Sequence, residues 1–127
     1  MSDFRTPAKI VHGSGSAKDG TEHFWRQRLT ASANIPLLLF FVGFVVSLNG
    51  ASHEEVIAAV AHPLTAIVLI AVIGSAFLHM KLGMQVVIED YIHGEGAKII
   101  MLVLNSAFAY GIGLTAVFAI LKISFGA

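Results

Sequence analysis

Apolar residues along this chain fall in long blocks rather than in alternating or striped patterns. After a polar opening stretch, one block runs from about Leu29 to Leu48. A second runs from about Pro63 to Ile88, interrupted by His79, Lys81 and Gln85, and a third from about Ile99 to Leu121. A helix packed on a soluble core would carry a polar stripe on its outer face, and these blocks carry almost none. Each block is also long enough, since roughly twenty residues rising 1.5 Å each cross a hydrocarbon core about 30 Å thick. The pattern predicts an all-α membrane protein with three transmembrane helices.

The block ends carry their own signals. Asn49-Gly50-Ala51-Ser52 is a turn that stops the first helix. Pro63 suits the first turn of the second, with an amphipathic lead-in from Glu54 that could join it. Gly94-Glu95-Gly96 separates the second helix from the third. Residues 1–24 hold Pro7, Gly13, Gly15, Gly20 and several serines without any period. They predict an extended polar N-terminal arm that orders against a partner, or else a frayed tail. The division is then 1–24 as arm and 25–127 as a three-helix membrane anchor domain. The polar start lacks the apolar stretch of a cleaved signal peptide, so the arm is expected to be retained.

Charge gives these helices a direction. Arg5, Lys9, Lys18, Arg26 and Arg28 precede the first block, whereas the loop at 50–62 has no lysine or arginine. Lys98 follows the second block and Lys122 the third. By the positive-inside rule the N-terminus is cytoplasmic and the C-terminus periplasmic. The second helix then runs inward.

Composition narrows the chemistry. The 127 residues are 56% hydrophobic and 13% charged, with a mean hydropathy of +0.79. So little charge cannot cover a soluble domain. Zero formal net charge gives no support to nucleic-acid binding, and the absence of cysteine excludes disulfides, thiolate metal sites and iron–sulfur ligation within the chain. Flavin or iron–sulfur chemistry would belong to a partner.

Ionisable residues inside a span are costly and therefore functional suspects. His79 shares its helical face with Val72, Ser75, Ala76, Gly83, Val86 and Asp90. Small residues one turn before and after it would leave clearance for a flat macrocycle held through the imidazole. The same residues would also permit close helix packing, with His79 bonded to a neighbouring helix. One histidine supplies one axial ligand, so a haem here would take its second from another chain. Asp90 lies eleven residues on, about 20° off the same face, and Tyr91 about 18 Å along the axis. That pair could hydrogen-bond a quinone and serve a proton path, or simply form part of an interfacial belt with Trp25. Arg28 could pair with a haem propionate or with lipid phosphate. Lys81 is expected to snorkel. Asn105 and the pairs Ala107/Gly111 and Ala109/Gly113 are packing signals. His12, His23, His53, His62 and His93 lack ligand spacing and are expected to be solvated.

The stretch from His79 through Gly83 to Asp90-Tyr91 resembles the hallmark of the hydrophobic membrane anchor subunit, or D-type subunit, of succinate dehydrogenase (complex II). That hallmark is a haem histidine, glycine four residues on, and an Asp-Tyr pair eleven and twelve on. Trp25-Arg26-Gln27-Arg28-Leu29-Thr30-Ala31 is similar to the family's approach to its first span, and the likeness covers roughly residues 22–122. The companion subunit's Arg-Pro-x-Ser-Pro-His and His-Gly-x-Arg-His runs are absent. The resemblance implies that His79 is an axial ligand of haem b shared with a histidine of the companion cytochrome b subunit. It implies that Tyr91 hydrogen-bonds ubiquinone with Asp90 beside it, and that Arg28 lies close to the haem propionates. It further implies flavoprotein and iron–sulfur partners, no catalysis by this chain alone, and a multi-pass place in the bacterial inner membrane, with the mitochondrial inner membrane as the alternative. Two rival functions are a haem-free assembly anchor and a small transporter subunit.

The charge distribution yields a direct test. A reporter fused to the N-terminus should report the cytoplasm, and one fused to the C-terminus the periplasm. A cytoplasmic C-terminus would refute an odd number of spans.

Overall fold

In the computed structural model, which describes residues 19–126, four helices follow one another with short connections. They are α1 (Asp19–Ser47), α2 (His53–Ala61), α3 (Pro63–Tyr91) and α4 (Glu95–Phe125). Three of them, α1, α3 and α4, are long and apolar enough to cross a membrane. With 9 residues, α2 is too short to do so.

Each boundary has a local cause. Residues 19–24, expected to be part of an extended arm, are instead the first turns of α1. Two i,i+4 contacts support helix there: Glu22 pairs with Arg26, and the Arg28 guanidinium sits 4.7 Å from the centre of the Phe24 ring. The remainder of the arm lies outside the described residues. Pro36 falls inside α1 and denies the Ser32 carbonyl its usual donor, which a membrane helix tolerates where neighbouring groups compensate. Gly50 turns the chain after α1 with φ +83°, a left-handed conformation that glycine adopts at little cost. Ser52 then caps α2: its hydroxyl accepts from the Glu55 amide, and the Glu55 carboxylate accepts from the Ser52 amide at 2.7 Å. The Ser52 backbone amide, and after it the Ser52 side chain, hold the Glu55 carboxyl below its ordinary range. The lead-in from Glu54 remains a separate helix, because His62 is extended and Pro63 opens α3. Gly126 ends α4 in the left-handed conformation.

Packing is organised around α3, which lies against α1 on one side and α4 on the other. Nowhere do the described residues of α1 and α4 bring their Cα atoms within 8 Å of each other, so the three spans form a row rather than a closed bundle. The short α2 folds back onto α3 and α4. There a small core gathers Ala66, Leu69 and Ile120, with Phe44, Val60, Ile70 and Ile73 against it. Among the described residues no large side chain is fully buried, and apolar side chains along all three spans are exposed. Lipid and partner surfaces must cover them.

The two small-residue pairs of α4 have different fates. Ala109 and Gly113 are buried against α3, and a Cβ on Gly113 would stand 3.5 Å from the Phe77 ring. Gly111 meets nothing within 4 Å and is exposed, as is Ala107. A bulky residue at 113 should therefore force α4 off α3, and overpacking of this kind costs about 1–3 kcal/mol. Gly113→Leu is expected to lower the thermal midpoint of the detergent-purified protein while Gly111→Leu leaves it unchanged. Equal midpoints for the two variants would contradict this packing.

Candidate functional site

The polar contacts that join the spans meet on one stretch of α3. His79 is half-buried there, and its Nδ1 lies 3.1 Å from the Thr30 hydroxyl oxygen of α1. That hydroxyl has a single proton, which it directs to the Arg26 carbonyl at 2.8 Å, with the Gln27 carbonyl at 3.1 Å. With the threonine proton so engaged, its oxygen accepts from Nδ1–H. In that arrangement the imidazole is held through Nδ1 and Nε2 is the nitrogen free to meet a metal or a donor; a threonine proton turned to Nδ1 would instead leave the proton on Nε2. Ser75 adds a weak bond from its hydroxyl to the Thr30 carbonyl at 3.4 Å.

His79 also lines an open groove of about 490 Å³ along α1, walled by Ala31, Asn34, Ile35, Leu38, Leu39 and Val42. The groove is almost wholly apolar apart from His79 and Asn34. Asn34 is 9% exposed, and its carbonyl oxygen has no hydrogen-bond partner. A buried amide oxygen left unpaired is costly, and Asn34 shares the groove wall with His79. An imidazole held through Nδ1 at the edge of an apolar, open-sided groove fits a haem edge.

The small-residue face of His79 needs correcting in part. Ser75 bonds α1, and a Cβ at Gly83 would approach the Gln27 amide nitrogen to 3.3 Å. These two residues let α1 come close to α3, so the packing explanation for them is the one observed. Clearance for a ligand comes instead from the groove beside α1.

At the other end of the face, α3 is continuous to Tyr91, so the separation of about 18 Å between His79 and Tyr91 holds. Asp90 is exposed, Tyr91 is 75% exposed, and neither has a side-chain hydrogen bond among the described residues. The nearby Lys98 ammonium donates to the Glu89 carbonyl at 3.0 Å and ties the start of α4 to this end. Arg28 is exposed and lies on the same stripe of α1 as Ala31, Ile35, Leu38 and Val42, one turn before the groove begins. Asp90 and Tyr91 are thus brought together on a free helix end, His79 stands apart from them, and Arg28 borders the groove.

Other polar residues depart from expectation. Lys81 does not simply snorkel. Its ammonium stands 3.3 Å from the Tyr110 hydroxyl and 5.0 Å from that ring's centre. The Asn105 amide donates to the Lys81 carbonyl at 2.9 Å, joining α4 to α3. His23, expected to be solvated, has a buried Nε2 without a partner. His53, His62 and His93 are exposed as expected, and His12 lies outside the described residues. No cluster of three histidine or carboxylate side chains able to hold a metal occurs among the described residues.

Comparison with known proteins places this arrangement. The family model of the succinate dehydrogenase/fumarate reductase transmembrane subunit matches residues 2–113. The chain belongs to this family. It is 29% identical over 122 residues to the succinate dehydrogenase hydrophobic membrane anchor subunit of Paracoccus denitrificans, covering 96% of this chain and 94% of that one. It is 34% identical over 90 residues to the subunit of the same name from Rickettsia bellii, covering 71% and 72%. A succinate dehydrogenase membrane anchor subunit of Reclinomonas americana is 30% identical over 102 residues, covering 72% and 79%. No solved structure matches.

As a succinate dehydrogenase transmembrane subunit, the chain is a multi-pass membrane protein and a component of that enzyme rather than a catalyst by itself. Two side chains important to the His79 site in this subunit were not singled out from the sequence. Thr30 and Asn34 are single polar residues at the start of an apolar block, four residues apart on one helical face. That spacing was the available signal.

Proposed function

We propose that this succinate dehydrogenase subunit holds haem b through His79, jointly with a histidine of a companion cytochrome b subunit, and forms part of the ubiquinone-reduction site through Tyr91 and Asp90. The observation that carries the haem assignment is the Thr30 contact. It holds the imidazole through Nδ1 at the edge of an apolar groove, which supports Nε2 as the ligating nitrogen. Outer partners of this kind orient a ligating histidine and raise its basicity. Arg28, on the stripe bordering the groove, offers a guanidinium to a propionate. When bound, haem b supplies a one-electron redox centre within the membrane.

For the quinone, the chemistry of this chain is local. The Tyr91 hydroxyl donates to a quinone carbonyl at the exposed end of α3, and the Asp90 carboxylate beside it is placed to pass a proton. Electrons from succinate reach that end through flavoprotein and iron–sulfur partners, which dock on the cytoplasmic face of the bacterial inner membrane. The likeness to the Paracoccus and Rickettsia subunits supports the bacterial assignment. A haem-free anchor is the second reading, favoured by the His79–Thr30 bond, which would serve helix packing by itself.

Spectra separate the two. His79→Ala should remove one axial ligand, lowering or shifting the haem b signal in the reduced-minus-oxidised spectrum of the complex. Thr30→Val should retain haem but loosen it, since loss of such a partner weakens a metal site about 10–100-fold. An unaltered spectrum and haem content in His79→Ala would overturn the ligand assignment in favour of the packing role.

Tyr91→Phe tests the quinone site. A hydrogen bond to a neutral carbonyl contributes about 0.5–1.5 kcal/mol, up to roughly tenfold in affinity. Quinone-dependent turnover should fall by up to about that factor, with turnover on a soluble dye, haem content and assembly retained. A parallel fall in both activities would make Tyr91 an assembly residue.

A further inference from the structure

Lys81 interrupts the apolar block of α3, and neither the haem nor the quinone assignment explains its position. It sits about 15 Å before the end of α3 and among the described residues pairs with no carboxylate. Its only side-chain partner there is the neutral Tyr110 hydroxyl. An ammonium that interrupts an apolar block without a paired carboxylate favours an anion beside it.

The surroundings are shaped for one. Because α1 and α4 do not meet across α3, a hollow of about 280 Å³ lies between them. Arg26 and Leu29 of α1, Lys81 and Leu82 of α3, and Tyr110 of α4 line it. Glu22 is the carboxylate in the neighbourhood and is already paired with Arg26, which leaves Lys81 as the uncompensated cation. The hollow shares Leu78, Lys81 and Tyr110 with a second, almost wholly apolar groove of about 160 Å³ between α3 and α4, which passes Ile73, Phe77, Gly113, Leu114 and Val117. A basic, hydroxyl-bearing mouth thus opens onto an apolar channel.

We propose that this composite site binds one anionic phospholipid. Its phosphate takes Lys81, Arg26 and the Tyr110 hydroxyl, and an acyl chain lies in the groove past Phe77 and Leu114. The charge decides the class: a neutral quinone head would leave Lys81 uncompensated, whereas a phosphodiester with no cation of its own neutralises it. The proposal depends on the chain being a membrane subunit and is independent of the haem and quinone assignments.

The test is made on the intact complex, reconstituted into nanodiscs of phosphatidylcholine containing a minor fraction of phosphatidylglycerol, with retained lipids counted by native mass spectrometry. Wild-type complex should retain one more phosphatidylglycerol than Lys81→Gln, and Lys81→Arg should restore it. Leu114→Trp, which fills the groove and keeps every charge, should lose the same lipid. It also decides the matter if Lys81→Gln fails to assemble. Equal retention in wild type and Leu114→Trp would overturn the proposal, as would equal retention in Lys81→Gln. Preferential retention of phosphatidylcholine, or displacement of the lipid by inorganic phosphate alone, would overturn it as well.

Discussion

A polar side chain inside hydrocarbon has no water to turn to, so it must be met from a neighbouring helix or by a bound group. Among the described residues most of the polar contacts between spans fall on one stretch of α3, from Ser75 to Lys81. Ser75 and His79 reach Thr30 on α1, the Lys81 carbonyl receives Asn105 from α4, and the Lys81 ammonium reaches Tyr110. Apolar packing alone would leave the rotation of three greasy helices weakly specified, because lipid tails are as apolar as leucine. Four polar contacts at one level set that rotation. They determine that His79 lies at the edge of the α1 groove, and that the free end of α3 presents Asp90 and Tyr91 together.

The spans were legible in the sequence because the bilayer imposes a length and a composition that few soluble helices share. Their ends were less so. Hydropathy registers only residues that face hydrocarbon, whereas α1 begins at Asp19 and α4 at Glu95, where helical hydrogen bonds and i,i+4 pairs continue through polar residues. For the proposed site, the mutual spacing of His79, Asp90 and Tyr91 was legible because one continuous helix fixes it. Thr30, Asn34 and Tyr110 were not, since their importance arises from which faces of separate helices meet, and periodicity within one helix is silent on that. Gly83 and Ser75 show the same limit from another side. Small residues suit both a macrocycle and a closely approaching helix, and only the position of Gln27 and Thr30 decides between them.

The family's two descriptors, transmembrane subunit and membrane anchor, correspond to two physical properties seen here. The helices supply length and greasiness, enough to stay in a bilayer. Their polar contacts supply a fixed frame on which another chain can place its own side of a site. Asn34 illustrates the second property: its unpaired oxygen is an unfinished bond within this chain, in a groove open on one side.

The row arrangement of α1, α3 and α4 also bears on how the subunit's abundance is controlled. A closed bundle reaches its final stability by itself, but a row has two broad faces and little interior of its own. Its folded population is then governed by mass action with whatever covers those faces, so stability becomes a property of stoichiometry. Copies made in excess of their companions would remain with an unpaired amide and an open groove, which distinguishes them chemically from assembled ones. Surplus copies would then be less stable than assembled ones, a consequence of helix geometry alone.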